Sequence, residues 1–125
     1  MELVRTLPAS DAAPALARSA VDLAVGHDVL PETADQVQDL TSELLAESSP
    51  GVETETIELR VQADAESVRV EVAWTGEPRA SNHHPSDGPH TAVIGRLSDR
   101  WGTSTDGAHH RLWAERSADP SSATP

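Results

Sequence analysis

Apolar and polar positions recur along this chain with two different periods, and the changes from one to the other divide it into elements. Between Pro31 and Ser49 the residues Val37, Leu40, Thr41, Leu44 and Leu45 return at helical spacing. One stripe of a helix therefore faces a core, while Asp39, Glu43 and Glu47 line the adjoining flank. Pro31 falls in the first turn, where a missing N–H costs little, Glu32 lies near the positive end of the helix dipole, and Ser48-Ser49-Pro50-Gly51 ends the helix. An earlier helix is predicted from Ser10 or Asp11 as cap, with Pro14 in its first turn, to a stop near Gly26; its stripe is Leu16, Ala20, Leu23 and Ala24.

From Thr54 the period becomes two. Ile57, Leu59, Val61 and Ala63 share one face and Glu58, Arg60 and Gln62 the other; from Ser67 to Thr75 the inward set is Val68, Val70, Val72 and Trp74. Alternation on both sides of Asp64-Ala65-Glu66 predicts an antiparallel hairpin with one buried and one wet face. The pattern dissolves over residues 77–89 into a polar, proline-rich loop, and resumes as a short helix carrying Ala92, Val93, Ile94 and Leu97. Trp101–Ser104 and His109–Glu115 suit a last pair of strands about the turn dipeptide Asp106-Gly107. Met1–Leu7, stopped by Pro8, suits a short edge strand. The succession predicts an α/β two-layer sandwich, helices on one face of a mixed, mainly antiparallel sheet, in one domain over residues 1–116 with a disordered tail at 117–125.

Composition narrows what such a domain does. At 125 residues the chain holds one core, which is aliphatic because Phe and Tyr are absent and Trp74, Trp101 and Trp113 supply the aromatic bulk. A net charge of −12, with arginine as the only strong base and no arginine cluster along the sequence, argues against a nucleic-acid surface. Cysteine is absent, which removes disulfides and thiolate chemistry. No apolar run approaches the ~20 residues of a membrane span, and a basic segment leading into an apolar one is missing from the N-terminus, so a cytoplasmic location is expected.

Taken as residues alone, Glu43 and Glu47 read as solvated acids of a helix flank and Trp74 as core filling. His83, His84, His90, His109 and His110 lack a recognised ligand spacing, so no metal is expected. Ser42 and Ser48 have no histidine placed to make a nucleophilic triad. Asp99 and Arg100 suit an ion pair or a cap at a helix end.

Thr-Ser-Glu-Leu-Leu-Ala-Glu-Ser-Ser (41–49) resembles the central helix of the GHKL (histidine-kinase-like) ATPases, in the small form found in bacterial anti-sigma-factor serine kinases. Leu-Pro-Ala-Ser-Asp-Ala-Ala-Pro-Ala-Leu-Ala-Arg (7–18) is similar to the opening of that family, and Leu97-Ser98-Asp99-Arg100-Trp101-Gly102, followed by Gly107 and Trp113, to its ending. The resemblance covers roughly residues 5–116 and implies the histidine-kinase-like ATPase fold, with ATP held between helices and sheet under a lid loop. It further implies that Glu43 stands where the family keeps its general base.

Most of the other positions of the implied site depart from the family pattern. Glu47 replaces the asparagine that holds Mg²⁺, placing a second acid where a triphosphate would lie; at an effective dielectric of ~20, one charge at ~4 Å costs on the order of 4 kcal/mol. Trp74 replaces the aspartate that reads the adenine amino group, and an indole cannot accept that proton. Gly76 is kept, Pro78 stands at the next glycine, His90 stands at the glycine opening the helix after the lid, and Gly88 is displaced from it. The expectation is a pseudokinase that has lost nucleotide and cofactor and regulates transcription by docking to a protein, with a sigma factor or a STAS-domain antagonist as the implied partner and a homodimer in keeping with the family. The alternative is a serine/threonine kinase using ATP and Mg²⁺, with Glu43 as base and Glu47 as metal ligand.

Overall fold

The computed structural model describes residues 2–8, 12–26, 29–48, 56–64, 66–75 and 89–117, the side chains at 47, 48 and 89–91 excepted. In chain order these form β1 (Glu2–Pro8), α1 (Ala13–Val25), α2 (Pro31–Ser48), β2 (Thr56–Ala63), β3 (Ser67–Thr75), α3 (Pro89–Leu97), β4 (Arg100–Asp106) and β5 (His109–Ser117). The strands make a five-stranded sheet in the order β1-β2-β3-β5-β4. Helix α1 lies over β1 and β2, α2 over β3 and β5, and α3 beside α2 near β4.

The two layers agree with the sequence pattern, but the sheet is not mixed: every strand pairing among the described residues is antiparallel. The connections explain this. With two helices between them, β1 and β2 are separated by three reversals of the chain, so β2 runs opposite to β1. Strand β4 does run in the same direction as β3 after the single helix α3, but β5 inserts between them and removes the parallel contact.

The core is the aliphatic set that the two periods mark out. On α2, Val37, Leu40, Thr41, Leu44 and Leu45 are all buried, and they meet Ile57, Leu59, Val61 and Ala63 of β2, Val68, Val70 and Val72 of β3, and Leu112 and Ala114 of β5. Gln38 is buried too, and its Nε2 donates to the carbonyl of Arg18 at 3.0 Å and to Asp22 Oδ1 at 2.8 Å, which ties α2 to α1.

Helix α1 departs from its predicted stripe. Ala13, Ala17, Ala20, Val21, Ala24 and Val25 are buried, whereas Leu16 and Leu23 are 47% and 61% exposed. At 3.6 residues per turn the leucines fall roughly 100° or more from the centre of the alanine and valine row, and the small row lets the helix approach the sheet closely. The helix ends as predicted at Gly26 (φ +50°), whose N–H donates to the carbonyl of Asp22 at 3.0 Å. Its N-cap is Ala12, with no side-chain cap; Ser10 and Asp11 lie outside the described residues.

The hairpin has the predicted register, with Val61 opposite Val70 and Leu59 opposite Val72. Asp64 Oδ1 accepts from the N–H groups of Glu66 (2.7 Å) and Ser67 (2.9 Å), and the bond from Ser67, then that from Glu66, holds this carboxyl below the usual carboxylate range.

The face of the sheet away from the helices is a lattice of charge. Four arginines that are scattered along the sequence, Arg60, Arg69, Arg100 and Arg111, are brought together here, and each pairs with glutamate. No net basic patch results. Arg69 bridges Glu115 (2.9 Å) and Glu71 (3.3 Å) while its guanidinium carbon lies 4.3 Å from the centre of the Trp113 ring, and Arg100 completes the pairing with Glu115. Asp99 and Arg100 therefore do not pair with one another. Asp99 Oδ2 instead accepts from the N–H and Oγ of Ser117 at 2.7 and 2.8 Å, so the ordered domain extends one residue past 116; residues 118–125 lie outside the described residues.

Burial of Glu115 opposes its ionisation, but hydrogen bonds from Arg100 and Arg69, with their charges, prevail and hold the carboxyl below its ordinary range. A carboxylate with a lowered folded pKa contributes stability above its unfolded value and loses it as pH falls through the folded value. Glu115→Gln is therefore expected to cost about 1 kcal/mol at neutral pH, Arg100 being largely exposed, and the difference from wild type to begin to shrink near the ordinary glutamate range, about pH 4.5, and to disappear as pH falls through the lower folded value. Urea denaturation of both proteins across that range checks it.

Candidate functional site

The end of the sheet where β3 stops and β5 begins holds the residue on which the nucleotide reading turns. Trp74 has the strand parity of Val68, Val70 and Val72, so it lies on the helix side, half-buried and packed against the core. It pairs in register with His110 of β5, and the two rings stack with centroids 5.4 Å apart and planes inclined by 25°. His110 pairs in turn with Thr105 of β4, with Nδ1 and Oγ1 3.3 Å apart. Trp74, His110 and Thr105 thus form a row across three strands on the face covered by helices.

Sequence reasoning placed Trp74 on this face but assigned His110 no partner. No local signal could have done so, because their contact depends on β5 inserting next to β3, and that adjacency is not written in either segment.

Glu43 stands on α2 next to the buried Leu44, half-buried itself, at the border between the core stripe and the exposed acids Asp35 and Asp39. Glu47 and His90 fall within α2 and α3, but their side chains are not among those described. Gly76, Pro78 and Gly88, with the histidines at 83 and 84, lie outside the described residues. The structure therefore speaks to two of the implied site positions, Glu43 and Trp74.

A shallow hollow of about 550 Å³ opens at the same end of the sheet, lined by Trp74 and His110 together with Thr56, Glu58, Asp106 and Arg111 among others. Thr56, Glu58 and Arg111 alternate with the buried positions of their strands, whereas Trp74 and His110 share the parity of the buried positions, so residues of both faces line the hollow. Among the described residues no group of three His, Asp or Glu is placed to hold a metal ion. No described helix is long and apolar enough to cross a membrane.

The final sequence motif has a structural basis. Gly102 of β4 pairs with Trp113 of β5, and the indole lies against the bare face of the glycine: a Cβ there would meet Trp113 Cζ2 at 2.9 Å and Cε2 and Nε1 at 3.0 Å. The glycine and the tryptophan are thus one packing unit on the charged face of the sheet.

Compared with models of known protein families the chain matches none, and no curated protein sequence matches it.

Proposed function

We propose that this domain is a protein-docking module with a histidine-kinase-like ATPase scaffold, a pseudo-ATPase of the anti-sigma type that acts by binding a sigma factor or a STAS-domain antagonist. The observation that carries the reading is the Trp74–His110 stack on the helix-covered face of the sheet. The resemblance puts an adenine-reading carboxylate at position 74; an indole there offers no acceptor, and its ring, backed by an imidazole, fills space the base would need. The element order and the inward row of α2 agree with the same scaffold. The acidic charge suits a partner with a basic docking segment and speeds association at low salt.

The test is thermal unfolding with ATP and Mg²⁺. A ligand at a hundredfold excess over its Kd stabilises a folded protein by about 2.7 kcal/mol. The midpoint is expected to stay unchanged up to millimolar ATP. A saturable rise would overturn the pseudo-ATPase reading in favour of a serine kinase; Glu43→Gln should then abolish phosphate transfer while leaving the rise in place. Binding measured against purified sigma factors and STAS-domain proteins of the host tests the partner class separately.

A further inference from the structure

The hydrogen-bonded part of the charged lattice stops at the edge of the hollow. Arg69 and Arg100 reach Glu115 through hydrogen bonds, whereas Glu58 and Arg111 hold Arg60 and Glu71 only at 3.7 and 3.6 Å, too far for one. Glu58, Ala73, Arg111 and Ser104 are successive cross-strand partners on β2, β3, β5 and β4, so they form one row on the face away from the helices. Two opposite charges thus stand on either side of Ala73, separated by two strand spacings, about 10 Å. Alanine is too small to fill the space between them, and they do not bond across it.

A ligand that bridges this gap carries both charges. Its cation meets Glu58 and its carboxylate meets Arg111, whose terminal guanidinium nitrogens make no hydrogen bond among the described residues. Two charge-assisted hydrogen bonds of about 2.8 Å leave roughly 4 Å for the ligand, which an ammonium and a carboxylate on one carbon span. The neighbouring row of the hollow, Thr75, His109 and Asp106, sets the remainder of the ligand. Asp106 makes no ion pair among the described residues and lies two strands from Thr75, again about 10 Å. A lysine or arginine side chain extended over His109 and ending in one hydrogen bond covers that distance. Arg111 leans toward Glu71, away from this row, and leaves the path clear. Charge agrees with geometry: Glu58, Asp106 and Arg111 leave the hollow one negative charge, which an amino acid with a cationic side chain balances.

We propose that the hollow is a binding site for a basic α-amino acid, with Glu58 on its ammonium, Arg111 on its carboxylate and Asp106 on its side-chain cation. The site is separate from Glu43 and stands whether or not the domain binds ATP.

Titration of the isotopically labelled full chain with L-arginine, followed by amide chemical shifts, is the test. A ligand of this size on an open surface is expected to bind with a Kd of about 1 mM. The shifts should centre on the hollow, at Ala73, Thr75, Ser104 and His109. Citrulline, neutral at its side chain, and agmatine, which lacks the carboxylate, should each bind about fivefold or more weakly, one charged hydrogen bond being lost. Agmatine is the decisive arm, because adsorption to an acidic chain as a whole favours it over arginine. Glu58→Gln, Asp106→Asn and Arg111→Gln should each weaken arginine by a similar factor, and Ala73→Leu should abolish binding by filling the floor. Glu32→Gln, which removes an exposed acid of α2 on the other side of the sheet, should leave it unchanged. Circular dichroism checks that each variant is folded. Agmatine bound as tightly as arginine, shifts spread along α2, or no shift at about ten times the expected Kd would each overturn the proposal. Thermal unfolding with ATP separates this from the functional reading, since a nucleotide-induced rise would leave the arginine titration unchanged.

Discussion

Leu44→Ala is expected to destabilise the domain by about 3–4 kcal/mol, lowering the thermal midpoint by more than 10 °C at roughly 4 °C per kcal/mol for a domain of this size. Leu44 is fully buried at the middle of the stripe by which α2 meets β3 and β5. The cost of such a truncation depends on how far the surroundings collapse into the space it leaves. Here they collapse poorly. The facing strands present Val68, Val70 and Val72, whose branched side chains are stiff at χ1 and cannot swing into the gap. Against a total stability of about 5–15 kcal/mol, the loss is a large fraction. A change below about 1.5 kcal/mol in urea denaturation would show that α2 is not held against the sheet as described.

Gly102→Ala is expected to cost about 1–3 kcal/mol although Gly102 lies on the wet face of an edge strand. Contacts of 2.9–3.0 Å from a new Cβ to three indole atoms force Trp113 to move. Trp113 is not free to do so, because Arg69 covers its ring at 4.3 Å and is itself bonded to Glu115 and Glu71. The clash therefore spreads into the charged lattice. A double-mutant cycle isolates the effect: with Trp113→Ala already in place, the three indole contacts are gone, and Gly102→Ala should cost far less than in the wild type. Additive costs would dissociate the glycine from the tryptophan.

These two positions also mark the limit of sequence reading. The stripe containing Leu44 was legible because α2 is long, its apolar spacing is helical, and only one face of such a helix can be buried. The hairpin was equally legible, since period-two alternation on both sides of a short polar connection forces both the register and the buried face. The stripe of α1 was legible only in part: Ala20 and Ala24 are buried as expected, Leu16 and Leu23 are not. Its row of alanines is a weaker apolar signal than Leu16 and Leu23, and which row is buried depends on how closely the helix approaches the sheet. For Gly102 and Trp113 the residues stood out as a motif, yet their relation is steric and became visible only when β4 and β5 were aligned. The same holds for Asp99 and Arg100, neighbours in sequence whose partners, Ser117 and Glu115, lie on another strand.

What the sequence alone determined is the layer each element belongs to, because periodicity and burial are local consequences of side-chain polarity. It also determined that position 74 carries an indole turned toward the helices, because strand parity is local as well. Only the tertiary structure decided the order of the strands: β5 enters between β3 and β4, which makes the sheet antiparallel throughout, sets His110 against Trp74, and gathers four dispersed arginines into a paired lattice. Those outcomes rest on contacts between segments far apart in the chain, and no local pattern of polarity encodes which distant strand will lie alongside.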